Sequence, residues 1–179
     1  MSPQLVLTAI TVGVVFVLML AEGLRSRANE RELLRAGAVE PAGDVYRTMA
    51  WAYPGAFLAM AVEGAMSSRT PAVVAAVGAA VFVLAKVLKY WAIGSLGTRW
   101  TFRVLVPPGA PLVVSGPYAF VRHPNYVAVV GEFVGVAMIV AAWVTGPVVT
   151  VLFGELIRRR IRVEERALAA PGLQLNSPP

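Results

Sequence analysis

Two short stretches of this sequence concentrate the residues that could do chemistry. One is the segment Ser115-Gly-Pro-Tyr-Ala-Phe-Val-Arg-His-Pro-Asn-Tyr126, which leads into an apolar run; the other is the charged run Arg158 to Leu168. In the first, the His123-Pro124 step fixes the backbone just ahead of a helix start. Such an end offers free N–H groups to a carboxylate or phosphate. Tyr118 and Tyr126 supply aromatic faces for a flat ring or a cation. In the second stretch, Ile157, Ile161, Glu164 and Leu168 recur with the spacing of a single helix face. Glu164 therefore falls in an apolar stripe, and Arg160, four residues earlier, can reach it. An ionised carboxylate in that position is costly without a partner or a task. Glu165 shares its face with Arg158 and Arg162 and is expected in a solvated ion pair. Together, N–H groups, aromatic faces and a Glu–Arg pair suit a zwitterionic, ring-bearing cofactor. A structural Arg160–Glu164 pair and a head-group contact at His123 account for the same residues.

Other chemistry is excluded by composition. There is no cysteine and only one histidine, so disulfides, thiolate nucleophiles and zinc sites of the Cys or two-His kind are absent, and no metal is expected. No glycine-rich dinucleotide fingerprint, P-loop or H-E-x-x-H motif occurs.

The elements that must position these residues are apolar helices. Of 179 residues, 58% are hydrophobic and 15% charged, against about 25% charged in an ordinary globular chain. Mean hydropathy is +0.69. Lipid must be the solvent for much of this surface. Apolar spans run from Ser2 to Ala21, from Thr48 to Ser68 with Glu63 inside, and from Thr70 to about Gly94 with Lys86 and Lys89 near its end. The stretch from Asn125 to Ile157 contains Glu132 and would be about 50 Å long as one helix, well beyond a ~30 Å hydrocarbon core. Gly146-Pro147 breaks it into a helical hairpin whose second arm is short. Five spans with the N-terminus outside and the C-terminus inside leave only Arg69 on the outer side, as the positive-inside rule favours. The net charge of +6 then belongs to topology and anionic lipid rather than nucleic acid.

The expected fold is all-α and polytopic, one domain over residues 1–179 with a frayed tail at 171–179. Arg25 to Arg47 is expected to form an interfacial amphipathic helix stopped at Gly37. Lys86 and Lys89 should snorkel to the interface. Glu63 reads as an interfacial group, Glu132 as an interhelical hydrogen-bonder, and Gly131 with Gly135 as a close-packing pair. The Gly- and Pro-rich segment from Ser95 to Pro124 reads as a functional loop.

The combination Gly116-Pro-Tyr, Arg122-His-Pro-Asn-Tyr126 and Arg160-Ile-x-x-Glu164-Glu165-x-x-Leu168 resembles the isoprenylcysteine carboxyl methyltransferase family of membrane-embedded, S-adenosylmethionine-dependent enzymes. The likeness covers roughly residues 86–168, the implied cofactor-binding catalytic core. The stretch from Glu22 to Glu40 looks like a bacterial branch thought to O-methylate polyketide-derived alkyl phenols and pyrones. Tyr53-Pro54 stands where that branch often has a histidine, and Val106 is nearest to a cofactor-holding glutamine of some members.

The resemblance implies cofactor contacts at Leu112, Val113, Tyr118, His123, Pro124, Asn125, Tyr126 and Glu164. Arg160 would address the substrate, and Arg160, Glu164 and His123 would form the catalytic set. It also implies a pocket open to the cytoplasm at the plasma membrane, with a lateral opening through which a lipophilic or prenylated acceptor enters from the surrounding lipids. A carboxylate acceptor needs no base, whereas a phenol or hydroxypyrone would look to His123 or Glu164. A phospholipid N-methyltransferase-like enzyme is the nearest rival reading. A non-enzymatic membrane subunit or carrier, with Glu63, Glu132 and Glu155 as relay groups, is the other.

Overall fold

The computed structural model describes residues 2–109 and 111–169, with residues 168 and 169 as backbone only. The predicted tail at 171–179 lies outside the described residues. Five α-helices follow in order: α1 (Pro3–Arg35), α2 (Tyr46–Met66), α3 (Ala72–Leu96), α4 (Pro124–Val140) and α5 (Thr145–Ala169). Short 3₁₀ turns lie at Gly97–Arg99 and Gly116–Ala119. Among the described residues there is no strand, only an isolated antiparallel bridge between Val39 and Val106. By length and composition, α1 and the stretch Ala72–Arg99 are apolar enough to cross a membrane; α4 is as apolar but shorter.

The first helix departs from expectation. Ser2 caps it by accepting from the Leu5 N–H, with Pro3 in the first turn. It then runs unbroken for 33 residues into the charged segment, so no separate interfacial helix begins at Arg25. The reason is burial: Glu22, Ser26, Asn29 and Leu33 stay on one inward stripe. Asn29 donates to the carbonyls of Gly97 and Trp100, and Ser26 accepts from the Phe102 N–H. The far end of α1 is thus the anchor of the long loop. Gly37, at φ +83°, ends it as predicted.

The hairpin forms, but its turn is earlier than predicted. The chain reverses at Ala141–Val144, and Gly146 and Pro147 lie in the first turn of α5, where a missing N–H costs nothing. Glu63 of α2 determines the place. Its carboxylate accepts from the N–H groups of Val144 and Thr145 and from the Thr145 hydroxyl, capping α5 from another helix. Glu63 is therefore a cap rather than a free interfacial group. The second arm is one helix of 25 residues, whose apolar part before Arg158 is short, as expected, and whose remainder is the charged run.

Helices α3 and α4 make the closest approach. A Cβ on Gly135 would lie 2.7 Å from the Phe82 nitrogen, and one on Gly131 would lie 2.9 Å from Ala85 Cβ. The predicted glycine pair thus packs within the chain. Helix α4 is central, with Phe133, Val136 and Val140 fully buried against Val15, Phe57, Met60 and Phe153. Large apolar side chains such as Val17, Trp51, Val73 and Val151 remain exposed on the outside, a surface suited to lipid.

Candidate active site

A cavity of about 530 Å³ opens between the helices beneath the long loop. Along α1 it reaches from Met19 to Glu30, about 16 Å of helix. Its loop end gathers residues from both stretches that carry the sequence signal: Tyr118, His123, Asn125, Tyr126, Arg160 and Glu164. Leu112 and Val113 line it too, as does Val106, whose N–H and carbonyl pair with Val39. Pro124 does not. It is buried at the first position of α4, where its fixed φ starts the helix.

Arg160 and Glu164 project from successive turns of α5 toward the first turn of α4. The Arg160 Nε donates to Tyr126 Oη at 2.7 Å and to Glu164 Oε1 at 3.2 Å. Tyr126 donates its hydroxyl hydrogen to the same Glu164 oxygen. Only 6% of the Arg160 side chain is exposed, so its orientation is enforced. The His123 ring stacks on Tyr126 at 5.7 Å between centroids. Its Nδ1 stands 3.7 Å from Glu164 Oε2, and its buried Nε2 has no hydrogen-bond partner. Burial and the nearby Glu164 charge raise the Tyr118 hydroxyl well above the usual phenol range, so that ring stays neutral. Gly116 is required here: it adopts φ +62°, and a Cβ would strike Ser95 Oγ at 2.1 Å.

Several expectations are revised at this site. The start of α4 offers fewer free N–H groups than anticipated, because Tyr126 and Val127 both donate to the His123 carbonyl and Pro124 has none. That leaves the Asn125 N–H. Glu165 does not pair with Arg158 and Arg162; it lies 3.5 Å from Arg122 and 3.7 Å from His123 Nε2. Those arginines, with Arg159, surround Glu155, which precedes them on the same exposed face. Glu155 is accordingly no buried relay.

Two features were missed. Asp44, in the connection before α2, has a side chain only 3% exposed, accepts from the N–H groups of Tyr46 and Val104, and meets Arg160 Nη1 at 3.4 Å. A lone acid after Gly43 and ahead of a helix is a capping signal, but its pairing with Arg160 is tertiary. The carboxylate joins α2, the long loop and α5. Asp44→Ala is expected to lower stability by about 3 kcal/mol, seen as an earlier thermal transition in detergent. Asp44→Asn, which keeps one accepting oxygen, should lose less.

The second is a charge cluster at the deep end of the cavity. Lys86 and Lys89 do not snorkel. Lys86 Nζ lies 2.8 Å from Glu22 and 3.1 Å from Glu132; Lys89 Nζ lies 2.7 Å and 3.2 Å from the same two acids. Tyr53 donates its hydroxyl hydrogen to Glu132, the expected interhelical partner. Two buried acids on α1 and α4 satisfy the lysines where they stand, so no pull toward the interface remains.

Residues 76–170 match the model of the isoprenylcysteine carboxyl methyltransferase (ICMT) family. The chain belongs to this family. The ICMT match runs from α3 through α5 and so contains the loop, His123, Tyr126, Arg160 and Glu164, while Glu22, Asp44 and Tyr53 lie before it. Among relatives, "Uncharacterized protein YpbQ" of Bacillus subtilis (strain 168) is 31% identical over 157 residues, covering 88% of this chain and 94% of that protein. An "Uncharacterized protein" of Haemophilus influenzae (strain ATCC 51907 / DSM 11121 / KW20 / Rd) is 22% identical over 142 residues, covering 79% and 83%. No solved structure matches the chain at a significant level. ICMT membership makes this a membrane methyltransferase. Its loop-end residues fit a sulfonium methyl donor: a carboxylate at Glu164 and aromatic faces at Tyr118 and Tyr126 for the cation.

Proposed function

We propose that this protein is an S-adenosylmethionine-dependent O-methyltransferase that acts on a lipophilic acceptor at the cytoplasmic face of the cell membrane. In this reading all five helices cross the bilayer, N-terminus out and C-terminus in. The observation that carries it is a single cavity joining the Glu164–Arg160–Tyr126–His123 cluster to an apolar section between helices, walled by Met19, Met49, Val129 and Phe153.

When bound, the donor supplies an electrophilic methyl group. The protein's part is positioning and exclusion of water. Glu164 offsets the sulfonium charge, and Tyr118 and the Asn125 region contact the donor's flat and polar parts. Arg160 holds Glu164 and Tyr126 in place. It makes no hydrogen bond through Nη2 among the described residues, so that arm is available to an acceptor oxygen. The apolar section receives the acceptor, which enters from the bilayer.

The test uses purified protein in lipid nanodiscs with a methyl-labelled donor and a panel of alkyl phenols, alkyl pyrones, prenylcysteines and phosphatidylethanolamine. The expected result is label in an O-methylated, organic-soluble product, together with calorimetric binding of S-adenosylhomocysteine. Label in the amine of phosphatidylethanolamine would replace the O-acceptor reading. Absence of S-adenosylhomocysteine binding would remove the methyltransferase reading altogether.

A further inference from the structure

The deep end of the cavity holds chemistry that the loop end does not explain. The groups that fit the donor, Glu164, Tyr118 and His123, all lie at the loop end. An oxygen attacking in line would lie on the far side of the methyl carbon from sulfur, and the space left beyond the loop-end groups is the deeper part of the cavity. Around that deeper part the walls are Met19, Met49, Val129 and Phe153, and the polar groups among them are Tyr53 and Lys89. Lys89 directs its ammonium to Glu22 and Glu132 at 2.7 and 3.2 Å and toward Tyr53 Oη at 3.4 Å. Its charge is thereby committed to the two acids. Tyr53 gives its hydrogen to Glu132 and keeps a lone pair for another donor. Behind it, Glu132 is fully buried, with one carboxylate oxygen that makes no well-directed hydrogen bond.

We propose that Tyr53 is a catalytic residue of this site, which takes the proton of a weakly acidic acceptor hydroxyl while passing its own proton to Glu132. The proposal rests on the methyl-transfer reading above. The acceptor O–H bond breaks as its proton moves to Tyr53 Oη, and the Tyr53 proton moves to Glu132 Oε2. The acceptor oxygen then forms the new bond to the methyl carbon, whose bond to sulfur breaks with the electron pair remaining on sulfur. Glu132 acts through Tyr53 and does not touch the acceptor. Two lysines and two glutamates start as a neutral set. Once Glu132 is protonated the set carries one positive charge, beside the acceptor oxyanion it has helped to create. In water-free surroundings that pairing is strong. After product departs, the proton returns along Tyr53 to the cavity. His123, at the other end, is left to the donor.

The test is Tyr53→Phe, which keeps the ring that packs on Phe57, Phe133 and Phe153. The probe is a long-chain alkyl nitrophenol, whose ionised form absorbs in the visible. It is added to protein saturated with S-adenosylhomocysteine, at a pH below the probe's own midpoint. The wild-type protein is expected to bind the probe as the phenolate, without releasing a proton to an indicator dye. Tyr53→Phe is expected to bind it as the phenol, and to lower turnover of alkyl phenols about 100-fold or more with S-adenosylhomocysteine affinity retained. A phenolate band that persists in Tyr53→Phe overturns the proposal, as does a wild-type protein that binds the probe protonated or not at all. Failure of S-adenosylhomocysteine to bind the wild-type protein overturns the methyltransferase reading instead, so the two outcomes are distinct.

Discussion

Glu164→Gln is expected to weaken S-adenosylhomocysteine and donor binding more than a hundredfold, measured by calorimetry on the purified protein. The carboxylate accepts from Tyr126 and from Arg160, and only 23% of its side chain is exposed. An amide keeps the shape, and its oxygen can still accept from both donors, but the negative charge is gone. Two losses follow: the cation of the donor goes uncompensated, and Arg160 is left with Asp44 at 3.4 Å as its remaining carboxylate. Truncating one partner of a desolvated charge pair costs about 2–5 kcal/mol. A loss of about 3 kcal/mol is more than two decades in affinity. The fold should survive, because Glu164 lies near the end of α5 and outside the main hydrophobic cluster. Glu165→Gln serves as the control. Its contacts to Arg122 and His123 are long and its side chain is 43% exposed, so its effect should be small. Unchanged calorimetric affinity in Glu164→Gln would take that residue out of the donor site.

What could be read from the sequence at this site was local. The spacing of Arg160 and Glu164 states that one helix turn separates them, and the His-Pro step states where α4 begins. That Tyr126, in the first turn of α4, meets this pair was not legible, since the residue reads from the sequence only as an aromatic face. The hairpin was legible, since no single helix from Asn125 to Ile157 fits a bilayer. Its turn was not, because Glu63 on another helix locates it. The same holds for Asp44, whose capping of α2 is a local signal but whose contact with Arg160 spans 116 residues of chain. Continuation of α1 past Ala21 is not legible in charge content, which marks the edge of an apolar span and not of a helix. The inward stripe through Ser26, Asn29 and Leu33 carries the helix on. The lysines differ from expectation for a related reason. A lone lysine near the end of a span snorkels; two lysines one turn apart, with two isolated acids on other spans, neutralise one another in place.

That neutrality sets the other large effect. Lys86→Met is expected to destabilise the protein by about 3–5 kcal/mol, since it leaves Glu22 and Glu132 sharing one ammonium in a site closed to water. The measurement is thermal or denaturant unfolding in detergent. Lys86 suits the test because it does not line the cavity, whereas Lys89 does; the scaffold is perturbed while Tyr53 and its neighbour remain. Methionine matches the length of the lysine stem and preserves its packing near Phe82. The double change Lys86→Met with Glu22→Leu leaves one lysine and one glutamate, again neutral. It should recover most of the loss, since replacing a whole buried pair by apolar groups is often close to neutral. Residues in direct contact couple by up to about 3 kcal/mol, so the double variant should be more stable than Lys86→Met alone. If instead the two losses simply add, the four charges do not act as one neutral unit. The protonated Glu132 that Tyr53 is proposed to create would then have no balanced set to form in.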